Sequence, residues 1–594
     1  MRLLAVLAFV AAIWALLVRL TGGFVFSVAG VQISSTDPIR PLVAALIAIA
    51  AYAVLSALAG RHPGLSALTR RVGPRGLAAV LALGSVVTAL SHASWTAGGA
   101  DEYSYVSQAD LWLQRKLTVP MPIATAVPWP DGLATFTPLG YGRPAEGAAI
   151  APVTGPGLPL MMAALKSVAG HCAAFWIVPL TAGLLVWATF ALGRKAGSDV
   201  IALGAAWLVA TSPTVLAMAK SPMSDIPAAA FWTQAAAWVV GASLRASIAA
   251  GLAASMAVLI RPNLAPLAAV MAVWLLWRDR SPARAVAFVC GVLPGCLAVA
   301  LLNNVLYGSP FSSGYGDLNS LLSVAHIPAN LARYGRWLIE TQTPLAVAGM
   351  LALATPTRVV WPTDDARRAA FLLASITVVV WAMYCVYIAF DAWWFLRFLL
   401  PCWAAISIGT AALVVRLGEW TGGGQRVAVL ALIALGLYAV VTAIRHDVFP
   451  AGEGDRRYAT IASLVERTTE PSSVILTSQH SGSIRYYAGR LTLRFDLLDP
   501  AWLDRAIAWL DQQGRRPYIL VEDWEMKPFE ERFAERNALG RLALAPVLAY
   551  RAYRIPGTIY LFDPRRPEGP TLEPPPVRDP RPRCVAPAAE PAPR

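Results

Sequence analysis

Apolar runs long enough to cross a membrane recur from the first residues to about residue 445, with short polar connections between them. A helix needs about 20 apolar residues to cross the ~30 Å hydrocarbon core of a bilayer, and somewhat fewer inside a bundle. The pattern therefore predicts about thirteen membrane-spanning helices. The predicted spans are residues 3–20, 41–60, 77–96, 172–193, 199–217, 226–243, 246–260, 264–277, 283–302, 344–358, 369–390, 398–415 and 427–444.

Arginines between the runs indicate which side of the membrane each connection faces. If every run crosses, the Arg-bearing connections all fall on one side, for example those with Arg70, Arg194 and Arg416. The positive-inside rule makes that side the cytoplasm. We therefore expect a multi-pass protein of the inner or plasma membrane, with a cytoplasmic N-terminus and an extracytoplasmic chain after Arg445.

Two segments on the outer side are too long to be simple connections. They span residues 97–171 and 303–343, within a membrane module predicted for residues 1–445. The piece PVTGPGLPLMMAALKSVAG in the first segment is half apolar and broken by Gly and Pro. This composition is typical of a helix that lies in the membrane interface.

The composition becomes that of a soluble domain after residue 445. SVILTS, LTLRFDLL and YILVEDWE show strand patterns, and AWLDRAIAWLDQQ and YATIASLVERTTE show helical ones. The alternation predicts an extracytoplasmic α/β domain at 446–563. Residues 564–594 are Pro-rich without apolar periodicity, so we expect a disordered tail there.

The overall composition excludes several classes of protein. The chain of 594 residues is 57% hydrophobic and 14% charged, whereas a soluble domain has roughly 25% charged residues. A cytosolic globular enzyme and a disordered chain are therefore excluded. The net charge of +14 comes mostly from Arg beside apolar runs, so we expect no nucleic-acid partner. The six cysteines are scattered, which indicates neither a disulfide framework nor a zinc site.

Acidic residues at the outer ends of helices are the first candidates for chemistry. Asp101 and Glu102 lie where the chain leaves the third span, and Tyr103 beside them is a candidate substrate-lining residue. Such a pair is often only a favourable charge at a helix N-terminus. Asp225 lies on the same predicted face, and alone it reads as a helix start followed by Pro227. Two carboxylate sites on separate hairpins, each beside apolar residues, suggest a shared cleft.

Two arginines and a polar loop could complete such a cleft. Arg261 interrupts two apolar runs, and Arg397 begins a span, both at the outer edge. Interfacial snorkelling would explain them, and so would binding of a phosphate by the guanidinium fork. The loop that contains Tyr307 and Tyr315 is either a plain turn or a substrate-lining loop.

The order of these motifs resembles the GT-C membrane glycosyltransferases. DEYSY after an early span is followed by SPMSDIPAAAF, RPN, NNVLYGSPFSSGY and FLRFLLP, over roughly residues 77–420. The nearest subgroup is the set that resembles protein O-mannosyltransferases and aminoarabinose transferases, which uses polyprenyl-phosphate sugars. The resemblance implies an extracytoplasmic enzyme that transfers a sugar with inversion to a lipid, glycan or protein acceptor.

The resemblance also implies roles for individual residues. Asp101 matches the catalytic acidic position of the first outer loop, and Glu102 the acidic residue beside it. Asp225 resembles the acidic residue of the second outer loop, and Arg397 the Arg before the late LLP segment. The chain departs from the aminoarabinose transferases before its interfacial helix, where it has no basic residue, and Lys166 comes later.

The expected chemistry needs few residue types. Asp101 would act as general base toward an acceptor hydroxyl, and Arg397, Arg261 or a divalent cation would stabilise the departing phosphate. Asp101 and Asp225 could hold Mg or Mn, since carboxylates suit these ions.

Two other classes of protein remain open. A polyprenyl-lipid or glycolipid flippase would also have many spans and a helix broken at Arg261, although we find no inverted repeat. An assembly scaffold would use the α/β domain to bind glycan. Ser478, His480 and Asp496 in that domain could be imagined as a hydrolytic triad, but no nucleophile-elbow pattern surrounds Ser478.

Overall fold

The computed structural model describes most of the chain and is predominantly helical. The described residues are 2–21, 24–28, 31–35, isolated positions between 38 and 48, 63–277, 279–316, 321–552, 556–576 and 584–588. The predicted span 41–60 lies almost entirely outside them. The longer helices are Arg2–Thr21, Pro63–His92, Ala100–Leu113, Gly157–Ala169, Ile177–Ala196, Asp199–Thr211, Pro213–Met218, Asp225–Val239, Leu244–Ile260, Pro266–Trp277, Pro282–Tyr307, Ile327–Gln342, Pro344–Ala354, Asp364–Cys385, Trp403–Trp420, Gly424–Arg445, Ala451–Thr468, Leu503–Gln512 and Asp523–Phe533.

Six helices in the described part of the chain are long and apolar enough to cross a membrane. A bent pair, Val324–Gln342 with Pro344–Ala354, would make seven. The multi-pass helical architecture is thus confirmed, whereas the count of about thirteen is not. Several predicted spans are shorter helices of 10–17 residues, such as Leu244–Ile260. The predicted span 199–217 is broken at Ser212, which caps the next helix.

The chain forms two compact units. The first, which we call the helical unit, comprises Met1–Ala93, Trp176–Val299 and Asp317–Phe449. Close helix packing at small residues is typical of membrane proteins. A Cβ on Gly251 would lie 2.3 Å from the Phe288 carbonyl oxygen, and one on Gly295 would lie 2.3 Å from the Ser255 carbonyl oxygen. The helices Leu244–Ile260 and Pro282–Tyr307 therefore approach each other through these glycines.

The second unit, which we call the mixed unit, comprises Ser94–Phe175, Ala300–Gly316 and Pro450–Arg594. A first hairpin, β1 (Phe24–Val28) with β2 (Val31–Ser35), precedes it in the chain. Within the mixed unit, β3 (Val119–Pro120) and β4 (Tyr141–Gly142) both pair antiparallel with β5 (Ala149–Pro152).

The C-terminal segment of the mixed unit contains a five-stranded sheet. Its strands are β6 (Val474–Leu476), β7 (Leu491–Leu493), β8 (Pro517–Glu522), β9 (Leu548–Arg551) and β10 (Thr558–Phe562). Their order is β7-β6-β8-β10-β9, parallel among the first three strands and antiparallel at β10. The three strands and two helices that the sequence predicts here are present, and β9 and β10 complete the sheet. The boundaries 446–563 stay a prediction.

The predicted Pro-rich tail makes several contacts where the structure describes it. Leu572 bridges to Leu548 of β9, the Ala588 N–H donates to the Tyr486 carbonyl, and Cys584 forms a disulfide with Cys172. Residues 577–583 and 589–594, for which we expect disorder, lie outside the described residues. The scattered cysteines did not indicate this pair, which joins positions 412 residues apart.

Candidate functional site

The helix Ala100–Leu113, which we call the acidic helix, carries Asp101 and Glu102 in its first turn. Gly99 before it has φ 51° and ψ −163°, a conformation open to glycine because it lacks a Cβ. The Gly98 N–H donates to the Glu102 carboxylate over 3.1 Å. Both carboxylates are half-buried and gain from the helix dipole. A helix predicted from the charge pattern is therefore present, and it leaves two carboxylates partly accessible.

Tyr103 lies behind this turn, in the packed interior of the mixed unit. Its side chain is 5% exposed and its ring stacks on Tyr141, with 5.2 Å between the ring centroids. Gly482 lies against the same ring, since a Cβ there would be 2.2 Å from Tyr103 Cδ1. Burial raises the pKa of Tyr103 above its usual value. The prediction that Tyr103 lines a substrate site does not fit this packing.

The predicted loop with Tyr307 and Tyr315 also belongs to the mixed unit. The Tyr307 hydroxyl donates to the Pro152 carbonyl of β5 over 3.4 Å, and Tyr315 is half exposed. Gly314 lies directly against Tyr307 and Val153, so this loop packs on β5. The mixed unit thus contains five of the predicted site residues. Among these five, Tyr315 is exposed, Asp101, Glu102 and Tyr307 are half-buried, and Tyr103 is buried.

Asp225 and Arg261 form a buried ion pair in the helical unit. The Asp225 side chain is fully buried, the Arg261 side chain is 13% exposed, and Nη2 of Arg261 donates to Oδ1 of Asp225 over 2.7 Å. Arg261 also donates from Nε to the Ser224 hydroxyl and from Nη1 to the Tyr384 hydroxyl, over 2.8 and 3.3 Å. Oδ2 of Asp225 is buried without a hydrogen-bond partner among the described residues. The arrangement shows one role for Arg261, which is to neutralise Asp225.

Arg397 has a different environment in the same unit. It lies in a 3₁₀ segment, Trp393–Cys402, and is partly buried. Its guanidinium carbon lies 5.4 Å from the ring centroid of Phe395 and 5.2 Å from that of Phe398. The faces of these two rings attract the guanidinium of Arg397.

The predicted shared cleft would combine residues of both units. Asp101 lies in the mixed unit and Asp225 in the helical unit, and their convergence stays a prediction. A divalent cation on Asp225 would oppose the guanidinium of Arg261, so this donor set does not fit Mg or Mn well. Within the described residues, no group of three His, Cys, Asp or Glu side chains could hold a metal ion.

The sequence did not predict a polar cluster around Asp110, near the C-terminal end of the acidic helix. Asp110 forms a salt bridge with Lys166, and the Tyr486 hydroxyl donates to the other Asp110 oxygen over 2.6 Å. The Lys166 side chain is 14% exposed. Lys166 is thus paired within the protein. Nothing in the sequence pattern could have revealed a pair 56 residues apart.

His480 belongs to a second cluster that the sequence did not predict. It is fully buried, and its Nε2 lies 2.8 Å from Oε1 of Glu522. Asp496 instead pairs with Arg494. The imagined triad of Ser478, His480 and Asp496 is therefore not assembled, and His480 is not the surface residue that its loop position suggests.

Similarity to known proteins is limited to solved structures. No protein-family model matches the chain, and no curated protein does. ArnT from Cupriavidus metallidurans bound to undecaprenyl phosphate is 12% identical, covers 83% of this chain and 99% of its own, and has a TM-score of 0.49. The oligosaccharyltransferase AglB from Archaeoglobus fulgidus, in complex with an inhibitory peptide and a dolichol-phosphate, is 11% identical, covers 81% and 74%, and has a TM-score of 0.48. Because these scores and identities are low, the function proposed below depends on the residues and geometry of this chain.

Proposed function

We propose that this protein is a membrane glycosyltransferase that moves a sugar, with inversion, from a polyprenyl-phosphate carrier to an acceptor at the extracytoplasmic face. The observation that carries the proposal is the start of the acidic helix, where Asp101 and Glu102 stand partly exposed in the mixed unit. The motif order DEYSY to FLRFLLP supports the same class. ArnT and AglB are described with undecaprenyl phosphate and a dolichol-phosphate, which belong to the carrier class proposed here.

Asp101 is the proposed general base. It takes the proton of an acceptor hydroxyl while the hydroxyl oxygen bonds to the anomeric carbon. The bond from that carbon to the phosphate oxygen breaks, and its electron pair leaves with the polyprenyl phosphate. Attack on the face opposite the phosphate inverts the anomeric configuration, through an oxocarbenium-like transition state.

A positive charge must meet the departing phosphate. Arg397 is the predicted arginine that matches the Arg before the late LLP segment in the resemblance, and its guanidinium lies against the rings of Phe395 and Phe398. Arg261 is already the partner of Asp225. We propose that Arg397 stabilises the charge that develops on the leaving group and that Arg261 holds Asp225 in place.

The disulfide Cys172–Cys584 supports an extracytoplasmic mixed unit. Disulfides persist in oxidising compartments and are rare in the cytosol. If every predicted run crosses, the positive-inside rule predicts the same side for these segments. A topology reporter fused after Arg445 should therefore read as extracytoplasmic, and a cytoplasmic signal would contradict this orientation.

The central test is the substitution Asp101→Asn in the purified full chain. The assay supplies polyprenyl-phosphate hexoses and pentoses in detergent with a membrane extract as acceptor, and measures release of polyprenyl phosphate. We expect a loss of at least about 100-fold, the usual scale of general-base catalysis. Asp131→Asn is the matched control, because the Asp131 side chain lies in the same unit and is 80% exposed. Full turnover by the Asp101 variant would remove the assignment.

A flippase is the second candidate, and the broken helices favour it. Val324–Gln342 and Pro344–Ala354 meet at 114°, and discontinuous helices are frequent in transporters. The detergent assay separates the two functions, since a flippase has no reaction to perform without a bilayer.

A further inference from the structure

The backbone that leads into the acidic helix is bonded to the C-terminal part of the mixed unit. The Ala97 N–H donates to the Tyr487 hydroxyl over 2.7 Å, and both residues are buried. Burial raises the pKa of Tyr487 above its usual value, so the hydroxyl stays neutral. A buried polar group left without a partner costs about 1–3 kcal/mol. The hydroxyl of Tyr487 therefore fixes the chain three residues before the first helical turn.

The next residue, Gly98, is pressed against Tyr458. A Cβ on Gly98 would lie 2.5 Å from Cδ2 and 2.9 Å from Cε2 of the Tyr458 ring, and 3.1 Å from Oε2 of Glu102. The Gly98 N–H also donates to that Glu102 oxygen. The Tyr458 ring and the Glu102 carboxylate thus lie on the same side of Gly98, so the ring forms a wall beside the acidic turn.

Tyr458 is itself held rigidly. Nη2 of Arg457 and Nε2 of Gln479 both donate to its hydroxyl, over 3.0 and 2.5 Å. The Arg457 guanidinium lies 4.3 Å above the Tyr458 ring centroid, and the His480 ring centroid is 5.0 Å away. Burial raises the pKa of Tyr458 to about 12. The side chain is therefore a neutral phenol fixed at both its ring and its hydroxyl.

Glu522 joins the residues around Tyr458. It accepts from Nε of Arg457 over 3.2 Å, from Nε2 of His480 over 2.8 Å and from Nε1 of Trp524 over 2.6 Å. Burial alone would raise its pKa, but the hydrogen bond from His480 and the charge of Arg457 outweigh burial and lower the pKa of Glu522 to about 2. A permanent carboxylate therefore organises this cluster at neutral pH.

We propose that Tyr458 and Tyr487 are positioning residues for the acidic site, and that holding the start of the acidic helix is a role of the C-terminal segment. This inference rests on the proposed function. The two tyrosines contact neighbouring backbone positions, Ala97 and Gly98, immediately before Asp101 and Glu102. We assign them no contact with the reacting atoms. A catalytic group displaced by 1 Å can lose about 100-fold in rate, so loosening these contacts should slow turnover without weakening substrate binding.

The first test compares Tyr487→Phe with Tyr486→Phe in the full-length protein. Tyr487→Phe removes the acceptor for the Ala97 N–H, and we expect kcat to fall about tenfold with KM changed less than about twofold. Tyr486 is buried to a similar extent as Tyr487, and Tyr486→Phe also removes one hydrogen bond. That bond goes to Asp110, in the third turn of the acidic helix. Tyr486→Phe should cost similar stability and leave kcat near wild type. Equal kinetic effects of the two variants would overturn the proposal.

The second test uses the contact between Gly98 and Tyr458. Gly98→Ala should slow turnover, because its Cβ meets the ring at 2.5 Å. Tyr458→Leu removes the ring and should also slow turnover, by loosening the site. The double variant should be no slower than Tyr458→Leu alone, since no ring is left to clash with. If the two losses multiply, the ring does not act through Gly98.

Hydrogen exchange separates this inference from the proposed function. Amides of the peptide 94–106 should exchange faster in Tyr487→Phe and in Tyr458→Leu than in wild type or in Tyr486→Phe, whether or not the protein transfers sugar. If the two variants exchange faster but the wild type shows no transferase activity, the contacts are supported and the proposed transferase function is refuted. Active wild type with unchanged exchange and unchanged kcat in both variants would refute the positioning role.

Discussion

Removing Arg261 should destabilise the helical unit strongly, because Asp225 would then be a buried charge without its cation. The two side chains are 13% and 0% exposed, and their nearest polar atoms are 2.7 Å apart. Arg261→Met keeps most of the side-chain volume and removes the charge. The stability of this variant shows whether the ion pair has a structural role or serves to bind substrate.

The size of the effect follows from the geometry. Two unit charges about 4 Å apart attract by about 4 kcal/mol at the effective dielectric constant of roughly 20 that suits proteins. Breaking a buried pair by removing one partner costs about 3–5 kcal/mol in measured cases. Large soluble domains lose roughly 2–4 °C of Tm per kcal/mol, and we expect a drop of about 10 °C. Replacing both residues, as in Arg261→Met with Asp225→Leu, should restore most of that loss.

The assay is the fraction of detergent-solubilised protein that stays monodisperse after heating, followed by size-exclusion chromatography. The control is Arg336→Met, which breaks an exposed pair with Glu340 in the same unit and should change the stability by at most about 1 kcal/mol. Wild-type stability of Arg261→Met would refute the buried-pair reasoning. A double variant that is stable but inactive would show that the pair serves the reaction as well as the fold.

Two further predictions concern the mixed unit. Burial raises the pKa of Glu525 from 4.5 to about 7. Between these two pH values the folded state holds a proton that the unfolded chain has released. The free energy of unfolding should therefore fall by up to about 3 kcal/mol as the pH rises from about 4.5 to about 7. In thermal unfolding, the Tm of Glu525→Gln relative to that of wild type should increase as the pH rises through that range. A difference in Tm that does not change with pH would contradict the raised pKa of Glu525. Alkylation of the denatured protein should leave Cys172 and Cys584 unreacted until a reductant is added, and labelling of every cysteine before reduction would exclude the disulfide.

The sequence predicted those features that depend on local pattern. The acidic pair Asp101 and Glu102 indicated a helix N-terminus, and the observed acidic helix begins at Ala100. Alternating and 3.6-residue periods located three strands and two helices of the C-terminal segment. The count of about thirteen spans is not confirmed, and hydropathy does not show where a helix ends: Ser212 stops one helix and caps the next inside a single apolar run.

Many of the polar contacts join residues far apart in the chain, and a local pattern does not reveal such pairs. Asp225 and Arg261 were both singled out, yet their bond to each other was not, because a sequence does not show the distance between two positions that are 36 residues apart. Tyr103 was predicted to line a substrate site beside two carboxylates, but Gly482 from the C-terminal segment covers its ring. His480 is buried by the same kind of long-range packing and not by its local surroundings.

The mixed unit is assembled from three stretches of chain, and this has a consequence for biosynthesis. Tyr487 follows Ala97 by 390 residues. At about 5–20 residues per second, a ribosome needs roughly 20–80 s to make the intervening chain. Throughout that interval the nascent polypeptide already displays its acidic turn without the tyrosine that supports it. The protein would thus become active only late, after its last helices have been inserted. Incomplete chains released before that point would be inactive.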